Sequence, residues 1–134
     1  MFMRAARKIP TSPPRNMHEA RFITIDKKNC LLTWKTRSQI DITLQDRTTT
    51  VTFPLRLRRD AGKLISCVRE GGITSLKDGT ESPVELRVGF DRGILYFAAR
   101  DDSSSISTGL APGDASLAMA LIQHADKKRL TRNL

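Results

Sequence analysis

The chain has 134 residues, with 23 Lys and Arg against 14 Asp and Glu, a formal net charge of +9, and 39% hydrophobic residues. A chain of this length is most naturally one domain. It can bury roughly two-thirds of its unfolded surface, enough for a core without metal or disulfide. No apolar run approaches the roughly 18–20 residues of a membrane span, so neither a transmembrane helix nor a membrane partner is expected.

The charge is unevenly placed. Residues 1–70 hold 15 Lys/Arg and 6 Asp/Glu, a net of +9, whereas residues 71–134 hold 8 of each, a net of zero. Such asymmetry argues for a cationic working surface on one side of the protein, against the plainer alternative of a merely solvated basic face.

Residues 1–17 read as a flexible basic tail, too rich in proline and too poor in apolar groups to offset the entropy of ordering. The start lacks the apolar middle of a secretory signal. Arg4, Arg7 and Lys8 suit a mitochondrial presequence, but Pro10, Pro13 and Pro14 would halt its helix early. Cys30 and Cys67 form no C-x-x-C pair and read as buried free thiols of a reducing compartment, hence a cytoplasmic location.

Residues 18–134 are expected to form the single α+β domain, with sub-halves 18–72 and 84–130. Ala20, Phe22 and Ile23-Thr24-Ile25 predict a first strand, Asp26 to Asn29 a turn, and Cys30 to Trp34 a second strand. Ile40, Thr43 and Leu44 mark a third. A fourth begins at Thr48, where Val51, Phe53, Leu55 and Leu57 alternate with Thr50, Thr52, Pro54 and Arg56. Pro54 cannot donate to a ladder, so this strand either lies at an edge or ends early. Asp60 is the expected N-cap of a helix whose Ala61, Leu64, Ile65 and Val68 share one face, and Gly71-Gly72 ends it.

Residues 71–83 read as a connection. Val84, Leu86 and Val88 then form a hairpin, through Asp91-Arg92-Gly93, with Ile94 to Ala98, which is apolar on both faces and so expected to be central and buried. Residues 101–113 are a polar loop with a short strand around Ile106. Asp114 caps a last helix with Ala115, Ala118, Met119, Ile122 and Ala125 on its buried stripe and Lys127, Lys128 and Arg129 in its last turn. The result is an antiparallel sheet of six or seven strands with two helices on one face, in the order ββββα-ββ(β)α.

No catalytic constellation is present, so a non-enzymatic role without cofactor is expected. His18 and His124 have no second ligand at i+3 or i+4, and Ser103-Ser104-Ser105 lacks a G-x-S-x-G turn. Asp101 and Asp102 point apart as chain neighbours, and the glycines do not assemble a phosphate-cradling loop. Cys67 sits between Ile65 and Val68 on the helix, a place for a partly buried thiol rather than a nucleophile.

The positive expectation is nucleic-acid binding. Basic side chains release counterions from phosphates, and an antiparallel sheet offers a platform for unpaired bases. The candidate phosphate contacts are Lys35, Arg37, Arg47, Arg56, Arg58, Arg59 and Lys63. Trp34, directly before Lys35, is either a stacking residue or part of the core. Single-stranded DNA or RNA suits the sequence better than duplex readout, since no helix-turn-helix pattern is visible. Four strands followed by a helix also resembles, in layout and without a matching motif, the small single-strand-binding folds of transcriptional cofactors. The alternative is a small adaptor or accessory subunit whose open strand edge docks on an acidic protein or pairs a homodimer.

Overall fold

The computed structural model describes residues 19–81 and 83–132. The expected tail over residues 1–17, and His18 after it, lie outside them.

Among the described residues, eight strands and two helices follow the order ββββα twice. The first meander comprises β1 (Glu19–Ile23), β2 (Asn29–Thr36), β3 (Gln39–Gln45) and β4 (Thr50–Arg56), and α1 (Leu57–Glu70) follows it. The second comprises β5 (Gly72–Asp78), β6 (Val84–Asp91), β7 (Ile94–Arg100) and β8 (Ser105–Leu110), followed by α2 (Pro112–Arg132). The α+β class therefore holds. Instead of one sheet of six or seven strands there are two four-stranded antiparallel sheets, each with its strands in chain order. The difference arises at residues 72–78, expected as a connection. They pair with β6 along their whole length, from Gly72 opposite Phe90 to Asp78 opposite Val84, and start a second sheet.

Period-two patterning determines which face of each strand turns inward. Ile40, Ile42 and Leu44 on β3 and Val51, Phe53 and Leu55 on β4 are buried, while Thr50, Thr52 and Arg56 face outward. In the second sheet Leu86, Val88, Leu95 and Phe97 point inward and Arg87, Tyr96, Ala98 and Arg100 point outward. Helix α1 packs on β4, β5, β6 and α2, α2 packs on β7 and β8, and β4 also meets β6, β7 and β8. The two meanders thus share one core, and among the described elements neither helix covers the outward face of either sheet. β4 is an edge strand of its sheet, as Pro54 allows, and it does not end early but runs on to Arg56.

Asp60 does not cap α1. The helix begins a turn earlier, with Arg56 as N-cap and without a side-chain cap. Asp60 is buried, and its carboxylate reaches back to accept the Arg56 backbone N–H at 3.0 Å. It thereby satisfies one of the orphan donors of the first turn from inside the helix. Gly71 ends the helix at φ 80° and donates its N–H to the Cys67 carbonyl at 2.8 Å. Arg92 and Gly93 both have positive φ, the two-residue turn that suits the twist of a β6–β7 hairpin.

Cys30 and Cys67 are buried free thiols. Burial, aided by the charge of Asp114, pushes the Cys30 thiol up to about 12, and burial raises Cys67 as well.

The β1–β2 turn docks on β8. The Ile25 N–H donates to the Gly109 carbonyl at 2.9 Å and the Lys28 ammonium to the Ser107 carbonyl at 2.8 Å. Asp26 accepts from the hydroxyls of Thr108 and Thr24 and pairs with Lys28 at 3.1 Å. The Thr108 hydrogen bond above all, supported by Thr24 and Lys28, holds the Asp26 carboxyl down to about 2, against an ordinary value of 3.8. A depressed carboxyl stabilises the folded state above its free value, and that contribution is lost as pH falls through about 4 toward 2. Asp26→Asn is therefore expected to flatten this part of the acid-destabilisation curve, read as the urea midpoint against pH.

Candidate nucleic-acid interface

The outward face of the first sheet is polar rather than basic. Its cross-strand rows run Arg21, Leu31, Thr43, Thr52 and Glu19, Thr33, Asp41, Pro54. The Thr43 and Thr52 hydroxyls bond to each other at 2.9 Å, and Arg21 pairs with Glu19.

The cations gather instead at one end of that sheet. The β2–β3 turn and the start of α1 meet there, because the Leu57 N–H donates to the Ser38 carbonyl at 2.9 Å and Gln39 pairs in register with Arg56. This contact joins Lys35, near the end of β2, and Arg37, from the turn, to Arg56, Arg58 and Arg59, and Lys63 follows one turn along α1. Arg47 is placed at the other end, in the β3–β4 turn. Six of the seven expected phosphate contacts are thus brought to one region.

Two of the six are engaged by carboxylates. Arg56 and Arg59 both bind Asp78, at 3.0 and 2.8 Å, and Arg59 grips Asp60 bidentately at 2.6 Å. The Arg59 pKa is raised by the Asp60 hydrogen bonds first and by Asp78, while Asp78 is lowered by Arg59 and then Arg56. Lys35, Arg37, Arg58 and Lys63 are exposed and have no ion-pair partner among the described residues.

Trp34 lies on the inward side of β2, in line with Cys30 and Leu32, and is half-buried against the core. Its indole Nε1 is shielded from solvent and makes no hydrogen bond among the described residues. Core packing describes its position; it is not on the open face of the sheet.

The second sheet contributes what the sequence did not reveal. Ile73, Gly89, Tyr96 and Gly109 stand opposite one another in a row across its outward face. With Ile25 from the β1–β2 turn they line an open groove of about 620 Å³. Ile73 is 79% exposed, Ile25 50% and Tyr96 41%. The next row is Ser75, Arg87, Ala98, Ser107, and the one beyond is Lys77, Glu85, Arg100, Ser105. Lys77 directly precedes Asp78, so this face adjoins the Arg56–Arg59 cluster at the β5 edge. β7 is central, as expected, yet its apolar outer positions are uncovered; those of β6, Arg87 among them, lie beside them.

Among the described residues no group of three or more His, Cys, Asp and Glu could hold a metal ion, and no helix is long and apolar enough to cross a membrane. The chain is an α+β protein of two meander-and-helix halves, with a cationic end beside an open sheet face. Comparison with known protein families, curated proteins and solved structures finds no match to it.

Proposed function

We propose that the protein is a non-enzymatic nucleic-acid-binding protein that takes single-stranded DNA or RNA at the cationic end of the first sheet. The observation that carries this reading is the placement of Arg58 and Arg59 in the first turn of α1, next to Arg37 and Lys35. The positive end of the helix dipole disfavours cations there by about 0.3–1 kcal/mol each. Arg59 is compensated by Asp60 and Asp78, whereas Arg58 has no ion-pair partner among the described residues. A cation kept where the local field opposes it suits an external anion.

The test is binding of a labelled oligothymidine across a salt series. Four uncommitted cations meeting phosphates predict a slope of log affinity against log salt near −3, from about 0.7 per contact on a single strand. Affinity should then fall about fiftyfold between roughly 50 and 200 mM salt. Absence of binding at low salt sinks the reading.

A second reading, an adaptor for an acidic protein, is favoured by the outermost position of β4. It predicts a stoichiometric protein complex and no oligonucleotide binding.

A further inference from the structure

We infer that the outward face of the second sheet is the base-stacking half of the interface, with Tyr96 as the ring on which an unpaired base of a single strand lies. This rests on the nucleic-acid reading above and gives it a site, distinct from the cationic end, that the sequence did not single out.

Three observations converge on Tyr96. Its row is built to seat the ring, with a buried glycine beneath it. Gly89 and Gly109 flank it across the strands, and a Cβ added at Gly109 would come within 3.1–3.3 Å of Ile94, Ile25 and Tyr96 itself. A side chain there would push the ring and the two isoleucines out of place, so glycine fixes where the Tyr96 ring lies. Next, apolar groups border the ring on both sides, Ile73 and Ile25, yet all three keep two-fifths or more of their surface exposed. A contiguous exposed apolar strip of this kind marks a contact surface rather than unfinished core.

The charges along the groove give the third observation and indicate the occupant. Its acids are mostly engaged from within. Asp26 is held by Thr108, Thr24 and Lys28, and Glu85 by Ser75 and by Arg100 at 2.8 Å. Asp91 has Arg92 at 3.7 Å. Arg87, one row from Tyr96, is exposed and without an ion-pair partner among the described residues, and Lys77 lies one row further along. Rows on one face are separated by two residues, about 7 Å along a strand. Tyr96, then Arg87, then Lys77 thus form a graded path, from an apolar ring to cations, that ends beside the Arg56–Arg59 cluster. An oligonucleotide has the matching order: a base at one end of the path and backbone phosphates along the rest. Glu85 stands opposite Lys77 and feels Arg87, but it is the one acid of these two rows against three cations, Lys77, Arg87 and Arg100, an excess that a free hydrophobic peptide would leave unmatched.

The experiment compares wild type, Tyr96→Ala and Tyr96→Phe for binding to two labelled strands on the order of a dozen nucleotides long, an oligothymidine and an abasic strand of equal phosphate number. Tyr96→Ala is expected to lose about tenfold in affinity for oligothymidine, as for the removal of one stacked base, with an unchanged salt slope and unchanged affinity for the abasic strand. Tyr96→Phe, which keeps the ring, should stay within about twofold of wild type. Cooperative unfolding of each variant establishes that the fold is intact. Equal loss on both strands, or no loss on oligothymidine, overturns the stacking role while leaving the cationic site standing. So does a Tyr96→Ala protein that changes only its oligomeric state, which would make this face a contact between two copies. If wild type binds neither strand at low salt, the nucleic-acid reading falls and the stacking site with it.

Discussion

Phe53→Ala is expected to lower the stability of the whole protein by about 3–5 kcal/mol. Phe53 is fully buried on β4, opposite Ile42 and between Val51 and Leu55, and the Arg59 guanidinium lies 6.0 Å from its ring centroid. Truncation removes apolar contacts and leaves a cavity between β4 and α1 that β-sheet neighbours cannot collapse to fill. Against a total stability on the order of 5–15 kcal/mol, this is a large fraction. In a domain of this size it corresponds to a fall in Tm of roughly 15 °C. Phe97→Ala, at the matching depth in the second sheet, should cost a similar amount.

The pair of variants also tests how the halves are coupled. α1 follows the first meander but packs on β4, β5 and β6 together, and β4 meets three strands of the second sheet. With a shared core, both variants should shift one common unfolding transition, followed by far-ultraviolet circular dichroism and by the fluorescence of Trp34. A transition that splits in either variant would show two units of separate stability.

Much of this architecture is legible from patterning, and the misses have physical causes. β4 and α2 are readable because Val51, Phe53 and Leu55, and Ala115, Ala118, Met119 and Ile122, bury one face each at the proper period. β5 is hidden because an edge strand needs little core. Of Gly72–Asp78 only Leu76 is buried, and Lys77, Asp78 and two nearby glycines give a turn-like composition. The start of α1 is displaced because Asp60 has the chemistry of an N-cap but serves from within the helix. The gathering of six cations depends on a contact between Ser38 and Leu57, which no local pattern encodes. Tyr96 is the hardest residue to read. A strand apolar on both faces signals double burial equally well, and only the pairing of two separate sheets reveals that its outer face is bare.

Replacing Arg37, Arg58 and Lys63 together by glutamate is expected to reduce oligonucleotide affinity at least a hundredfold at about 50 mM salt. Each phosphate contact on a single strand contributes about 0.7 in the salt exponent, which at that concentration is roughly eightfold per contact. Loss of three contacts therefore gives several hundredfold before any repulsion from the new carboxylates is counted. The loss should be the same for all base sequences, and the salt slope should shrink by about 2. Stability should move differently. All three side chains are exposed and without ion-pair partners among the described residues, so removing them costs little folding energy. At Arg58 the sign even reverses, since a carboxylate in the first turn of α1 gains about 0.3–1 kcal/mol from the helix dipole. A single Arg58→Glu protein that unfolds at a higher urea concentration while binding oligonucleotide more weakly would place the cation's purpose outside the fold. One that loses stability, or that binds as wild type does, would return Arg58 to the solvated surface and remove the main support for a phosphate contact at this end of the sheet.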